Sequence, residues 1–176
     1  MRRWNGWGDS ANHYPLKASG LTFLQSRLGA ASPLPDAEMA TVAEAVPASR
    51  LPDHPLIRND VETRIRHARG QSLPDWLAMR SGNFGRFPDG VAMPGSSEEV
   101  KSLLRWAQDK DVLVIPYGGG TSVAGHINPP AIDRPVLTLS LAAMNTLLHL
   151  DRESQIATFG AGTPGPEVER QLREQG

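Results

Sequence analysis

The sequence contains no cysteine. This absence excludes disulfide bonds, thiolate metal sites and a cysteine nucleophile, and it fits a reducing compartment such as the cytoplasm. No apolar run approaches the roughly 20 residues that a membrane-spanning helix needs. Two arginines stand near the start, but the following residues, NGWGDSANHYP, supply no apolar core for a secretion signal. We therefore expect a cytoplasmic protein without a transmembrane segment.

The sequence also has no large excess of charge of either sign. The 176 residues carry 18 basic and 19 acidic side chains, for a net charge of −1. A balance this close to neutral offers no long-range attraction for nucleic acid, so no nucleic-acid partner is expected. The histidines do not have the spacing of metal ligands, and no metal site is predicted. They are His13, His54, His67, His126 and His149.

The first 80 residues are interrupted by proline and predict short helices only. Helical composition is seen over 20–29, over 36–46 with Asp36 as its N-cap, and over 59–70. Helices this short are marginal by themselves, so we expect residues 1–80 to form a helical, irregular arm that packs on the rest of the chain. Trp4 and Trp7 are predicted to dock that arm through their indoles.

A strand, a helix and a strand follow from about residue 81. Val91–Met93 predicts a short strand, and Ser96 or Ser97 predicts the N-cap of a helix. The continuous apolar run Val112–Ile115 is typical of a strand buried on both faces. Together they predict a βαβ unit with parallel strands. The predicted apolar face of the helix consists of Val100, Leu103, Leu104 and Ala107.

The remaining residues predict a third strand, a hairpin and a final helix. The strand covers 135–141, the hairpin pairs 147–150 with 156–159, and the helix begins near Pro166. The predicted fold class is α+β, with a domain that starts at residue 81 and runs to 176.

Three consecutive glycines, Gly118–Gly120, come directly after the second strand of the βαβ unit. Glycine allows positive φ and lets an anion approach the main chain, so these residues, with Thr121 and Ser122, can form a nest of N–H groups that suits a phosphate. The sequence lacks the Gly-Lys-Ser/Thr of a Walker loop and the third glycine of G-x-G-x-x-G. By itself the triplet is equally consistent with a tight turn.

Two segments in combination resemble the FAD-binding domain of vanillyl-alcohol oxidase-type flavoproteins, also called the PCMH-type domain. They are FPDGVAMPGSSEEV, 87–100, and IPYGGGTSV, 115–123, separated by one helix and one strand. The resemblance implies the first half of that domain at 81–176, with FAD as cofactor. Downstream, IATFGAGTPGPEVERQL is similar to the next strand, glycine turn and helix of the family.

Within this family the chain is most similar to the alkyldihydroxyacetonephosphate synthase branch, also called alkylglycerone-phosphate synthases. The segment RRWNGWGD, 2–9, resembles the opening of these proteins, and RIRHARGQSLPDWLAMRSGNFGRFPD resembles the segment before their FAD domain. Family members are several hundred residues long, so the resemblance implies an N-terminal portion. The catalytic residues of the family lie in the part without counterpart here, and none is assigned.

The resemblance implies which residues hold the cofactor. The expected pyrophosphate loop consists of Pro116, Gly118, Gly119, Gly120, Thr121 and Ser122, flanked by Tyr117 and Val123, which contact flavin or pack in the core. Some branches attach flavin to a histidine of this loop. Gly120 stands at that place, so non-covalent FAD is expected. Nearby His126 is read as a polar loop residue. The basic cluster of Arg64, Arg66, His67 and Arg69 is read as a solvated helix face, with phosphate binding as the alternative.

Three functions are open at this point. The first is an FAD-dependent enzyme resembling alkyldihydroxyacetonephosphate synthase, which would replace an acyl group by a fatty alcohol in ether-lipid synthesis without net redox change. The second is an FAD-linked oxidase or dehydrogenase of a 2-hydroxy acid. The third is a truncated, non-catalytic chain with an unpaired sheet edge. The expected partners are FAD, a small or lipid-like substrate of the full-length protein and, as an open alternative, a second copy in a homodimer.

Overall fold

A computed structural model describes residues 2–32 and 34–176, and Met1 and Pro33 of the predicted arm lie outside the described residues. Helices and strands are both present, which confirms the predicted α+β class. In chain order the elements are α1 (Ala18–Leu28), α2 (Met39–Glu44), β1 (Ile57–Arg58), α3 (Val61–Arg66), α4 (Leu73–Ser81), β2 (Gly90–Ala92), α5 (Ser97–Asp109), β3 (Leu113–Tyr117), β4 (Val136–Ser140), β5 (Leu147–Asp151), β6 (Ile156–Phe159) and α6 (Gly165–Arg173).

The central sheet has four strands in the order β1-β2-β4-β3. Strands β2 and β3 both run parallel to β4, and β1 pairs antiparallel with β2. The predicted βαβ unit is therefore present with parallel strands, but β4 lies between them. Every residue of β4 is buried, which is the environment expected of the middle strand, whereas β3 lies at the edge and has alternately buried and less buried residues at its end.

Helix α5 covers one face of this sheet. Its N-cap is Ser96, whose Oγ accepts a hydrogen bond from Glu99 N at 3.2 Å. Leu103 and Ala107 are buried in a core cluster with sheet residues such as Leu137, and Val100 packs against it. Leu104 was predicted on this face but is 48% exposed. Trp106 packs against the core instead, so the buried face of the helix is shifted from Leu104 toward Trp106.

The N-terminal residues form a second core with α2, α3 and α4. Its buried members are Val42, Ile65, Ala68, Met79 and Phe84. The Trp4 ring stacks on Phe84 with 6.1 Å between centroids, so docking of the arm through this indole is confirmed. Docking through Trp7 is wrong, because its side chain is 59% exposed.

Two helix starts differ from the sequence prediction. Asp36 does not cap α2, because the N-cap position is Glu38 and Asp36 instead accepts a hydrogen bond from Asn5 Nδ2 at 3.3 Å. Helix α4 was not predicted. Its N-cap Ser72 and Asp75 form a reciprocal capping box, in which each side chain accepts from the backbone N–H of the other.

The hairpin and final helix are found where the sequence predicts them. β5 pairs antiparallel with β6 as a separate two-stranded sheet. The connection after β6 approaches the residues after β4 so closely that a Cβ on Gly162 would lie 1.7 Å from Leu141 O. Across the described residues, no helix is both long and apolar enough to cross a bilayer.

Candidate cofactor-binding loop

The glycine triplet begins where β3 ends, at the carboxyl edge of the parallel strands. Pro116 has no N–H to donate, and it is accommodated because β3, within residues 2–32 and 34–176, pairs with β4 alone and is an edge strand. Tyr117 is buried, its ring lies 4.6 Å from that of His67, and its Oη donates to Arg66 O at 3.3 Å. The loop is thus fixed at its first end by a buried tyrosine.

Gly120 is required by the shape of the loop. Its φ is +69°, in the left-handed region that L side chains rarely adopt. A Cβ at this position would lie 2.0 Å from Tyr117 Oη and 2.5 Å from Tyr117 Cζ. No side chain fits there unless the tyrosine moves.

Gly118 and Gly119 have a different role. Both are exposed, a Cβ on Gly118 would meet no atom within 4 Å, and one on Gly119 would make only an ordinary contact with Thr121. The protein itself therefore tolerates side chains here. Absence of side chains instead leaves the main chain open to a ligand.

The N–H groups to which such a ligand would bind lie on three exposed residues, Gly118, Gly119 and Thr121, and on the buried Gly120. Among the residues that the structure describes, those of Gly118, Gly119, Gly120 and Thr121 have no acceptor. Several unpaired donors in a glycine-rich turn at the end of a strand suit a phosphate or diphosphate. The predicted loop residues thus fit an anionic group without a lysine or arginine in the motif itself.

Ser122 and Val123 complete the predicted set. Ser122 O accepts from Gln71 N at 2.6 Å, and its Oγ lies 3.1 Å from His126 Nδ1. The Ser122 hydroxyl also accepts from Ala124 N at 3.3 Å, so it shapes the turn. Val123 is 72% exposed and belongs to none of the three core clusters among the described residues.

A network around Asp75, which the sequence did not reveal, fixes the far end of the loop. Gly70 lies so close to the backbone of the loop that a Cβ on Gly70 would be 2.4 Å from Ser122 O. Gly70 N donates to Asn128 Oδ1 at 3.2 Å. Asn128 Nδ2 in turn donates to Asp75 Oδ1 at 2.7 Å. The available signal was the Ser-x-x-Asp pattern of the capping box at Ser72.

Asp75 carries a buried negative charge in this network. It is 1% exposed, and burial alone would raise its pKa. Hydrogen bonds from Ser72 and Asn128, together with the charge of Arg69 at 3.5 Å, outweigh burial and hold the pKa of Asp75 below its ordinary value. The carboxylate is therefore ionised at neutral pH and stabilises the loop's support.

The basic cluster predicted as a solvated face is separated by the fold. Arg64 is buried, and its Nε and Nη1 donate to Pro88 O and Pro47 O. Arg66 pairs with Glu62 at 2.8 Å. Burial lowers the pKa of His67, so its ring is neutral near pH 7. The prediction of a solvated helix face is therefore wrong: Arg64 is buried, Arg66 and His67 are half-buried, and Arg69 lies beyond the end of α3.

Between the arm and the loop lies a cavity of about 150 Å³ with several basic side chains in its wall. Arg66, His67 and Arg69 contribute from the predicted cluster, and Arg2 contributes from the N-terminal residues. Arg2 also reaches the glycine loop, since its Nη2 donates to Gly119 O at 2.7 Å. The sequence did not predict this contact, which joins segments 117 residues apart.

Comparison with known proteins assigns the ligand class. Residues 88–176 match the family described as FAD binding domain. Alkyldihydroxyacetonephosphate synthase of Dictyostelium discoideum is 30% identical over 99% of this chain, which spans 34% of that relative's length. D-2-hydroxyglutarate dehydrogenase of Xanthomonas citri is 33% identical over 80% of the chain, which spans 26% of that protein.

A solved structure agrees with the curated relatives. A structure of alkyldihydroxyacetonephosphate synthase superposes on 99% of this chain with a TM-score of 0.79 at 28% identity, and the chain covers 39% of it. The predicted fold, an arm followed by the first part of a vanillyl-alcohol oxidase-type FAD-binding domain, is thereby confirmed. The open glycines and unpaired N–H groups of the loop fit the diphosphate of FAD. With the match covering half of its residues, the chain belongs to the FAD binding domain family.

Proposed function

We propose that residues 81–176 hold FAD non-covalently, with its diphosphate on the loop that consists of Pro116, Tyr117, Gly118, Gly119, Gly120, Thr121, Ser122 and Val123. The observation that carries this proposal is the row of N–H donors without an acceptor among the described residues, at the carboxyl edge of β3. Residues 1–80 act as an arm that supports the loop through the Asp75 network and Arg2.

Non-covalent attachment is supported by the shape of the loop at Gly120. A histidine there would need a positive φ, and its Cβ would overlap the buried Tyr117 ring. The flavin is therefore expected to leave the protein on denaturation. Acid precipitation followed by absorbance of the supernatant measures this, and flavin retained in the pellet would contradict it.

The whole enzyme is proposed to be of the alkyldihydroxyacetonephosphate synthase type, exchanging an acyl group for a fatty alcohol on a phosphorylated three-carbon substrate. The supporting finding is likeness along 99% of this chain, arm included, to the Dictyostelium and Trypanosoma brucei synthases. FAD supplies the reactive ring system when bound, and this chain's own residues bind and orient its diphosphate. We propose a cytoplasmic location and leave a homodimer as an alternative to the monomer.

A dehydrogenase of 2-hydroxy acids is the second candidate, favoured by the 33% identity to the Xanthomonas enzyme. The two differ in net electron transfer. Reduction of the bound flavin by D-2-hydroxyglutarate or D-lactate without oxygen would favour the dehydrogenase and contradict the synthase. The third candidate, a non-catalytic chain, would be contradicted by turnover of either substrate class by these 176 residues.

Titration of the purified chain with FAD tests the binding proposal. Gly118→Val and Gly119→Val are expected to abolish saturable binding, because each side chain would occupy the space above the N–H groups. Neither should unfold the protein, since a Cβ at these positions meets no atom closer than 3.5 Å. Gly20→Val is the matched control, since a Cβ there meets only the exposed Leu16 side chain. Equal FAD affinity of all three variants and the unmodified chain would overturn the proposal.

A further inference from the structure

Arg2 bonds to the loop through a carbonyl oxygen. Its Nη2 donates to Gly119 O at 2.7 Å, and the next peptide N–H belongs to Gly120. No cis peptide is found in the described residues, so this peptide is trans and its C=O and N–H point in opposite directions. The guanidinium thus lies on one side of the Gly119–Gly120 peptide, and the Gly120 N–H points away from it.

The charge of Arg2 is not cancelled by an acidic partner. Within the described residues no carboxylate lies in ion-pair distance of its guanidinium. Burial raises the pKa of the Tyr117 phenol, and the nearby Arg2 charge works against that rise. A full positive charge therefore acts on the side of the loop where the Gly119 carbonyl lies.

The backbone of Arg2 is held in place, so this contact is not that of a loose tail. Arg66 Nη1 donates to Arg2 O at 3.1 Å. The backbones of Arg2 and Asp9 also form an isolated antiparallel β-bridge. Two residues further on, Trp4 stacks on Phe84. The arm presents the guanidinium to one carbonyl.

A cation bonded to a peptide oxygen polarises that peptide. Charge-assisted hydrogen bonds are stronger than neutral ones, and bonds in a chain strengthen one another. The Gly120 N–H, which has no acceptor among the described residues, thereby becomes a better donor. We infer that Arg2 is a positioning residue for the cofactor, which strengthens and orients the Gly120 N–H toward the FAD diphosphate from the far side of the peptide. This rests on the proposed FAD site and extends it to the N-terminal arm.

Three variants test the inference by titration with FAD and by the amide resonance of Gly120 without ligand. Arg2→Gln keeps an N–H donor but removes the charge, and Arg2→Lys keeps the charge. Arg105→Gln removes an exposed charge from the second half of α5, the helix that precedes the start of β3, opposite the loop. Arg2→Gln is expected to weaken FAD binding about tenfold, in the range of the difference between a charge-assisted and a neutral hydrogen bond. Arg2→Lys should restore most of the affinity, and Arg105→Gln should change nothing.

The Gly120 amide resonance separates polarisation from a merely structural role. Its ¹H and ¹⁵N shifts should move upfield in Arg2→Gln and return toward the original position in Arg2→Lys, while the melting temperature stays constant. Unchanged shifts, or equal FAD affinity of Arg2→Gln and the unmodified chain, would overturn the inference and leave the FAD site standing. No FAD binding by the unmodified chain would overturn the proposed function and this inference together.

Discussion

Gly120→Ala should destabilise the protein because the added Cβ meets two separate obstacles. The first is backbone conformation, since a left-handed φ of +69° costs an L residue roughly 1–2 kcal/mol. The second is overlap with Tyr117, whose Oη and Cζ would lie 2.0 and 2.5 Å from the new atom. Displacing a buried ring in a packed core costs typically about 1–3 kcal/mol.

Gly118→Ala is the matched comparison for this change. Its Cβ would meet nothing within 4 Å, and its φ lies outside the strained region. Both substitutions restrict the unfolded chain equally, so that contribution cancels in the difference between the two variants. The sum of the two obstacles predicts that Gly120→Ala is less stable than Gly118→Ala by about 2–5 kcal/mol.

Urea unfolding followed by far-ultraviolet circular dichroism measures this difference from the two midpoints. In a Tyr117→Phe background the penalty should shrink but not vanish, because removal of Oη leaves the carbon at 2.5 Å in place. A difference below about 1 kcal/mol would refute the reasoning, since the backbone term alone reaches that value. An unchanged penalty in Tyr117→Phe would place the clash elsewhere.

Further changes probe the arm and the buried carboxylates. Asp75→Asn should lower the free energy of unfolding by about 2–3 kcal/mol, because it leaves buried donors without a charged acceptor, whereas Asp53→Asn at an exposed site should stay within about 0.5 kcal/mol in the same urea titration. Trp4→Ala should lower the free energy of unfolding by about 2–3 kcal/mol, because the aromatic stack and the burial of the indole are lost. Trp7→Ala should lower it by less than about 0.5 kcal/mol, since this side chain is exposed. Equal effects of the two variants in thermal unfolding would contradict docking of the arm through Trp4. Burial raises the pKa values of Asp75 and Asp89, but hydrogen bonds to both carboxyls outweigh it and hold the pKa values below ordinary. Their stabilisation is thus complete above about pH 4 and is lost as the pH falls through the lower folded-state values, so the melting temperature should drop below pH 4, by less in Asp75→Asn.

Local patterns predicted most elements of the second half of the chain. The Ser96 cap, the apolar row of α5 and the run into Pro116 indicated a helix between two strands, and the structure has them within one or two residues. The hairpin of β5 and β6 was equally clear from its apolar segments and polar turn. In these stretches the residues that decide the structure are neighbours in sequence.

Features that depend on distant partners were not predictable in the same way. Nothing local shows that β4 enters between β2 and β3, since parallel strands can be ordered in several ways. Gly70 is predicted as the end of the helix over 59–70, but α3 ends at Arg66, and Gly70 instead leaves room for the Ser122 carbonyl 52 positions later. Nothing in the residue type of Arg64 distinguishes it from Arg66 and Arg69, yet the fold buries Arg64 fully. The glycine loop itself was recognisable, but its supports were not.

The strand order has a consequence for how the protein is made. Strands β2 and β3 cannot bond to one another while the place between them is vacant, and that place is filled only by residues 136–140. During synthesis the glycines therefore emerge before β4, the strand with which β3 pairs. The glycine loop is assembled late, by a segment that contributes no residue to it. A nascent chain that stops short of Ser140 would carry the complete glycine sequence and still lack the platform on which it is displayed.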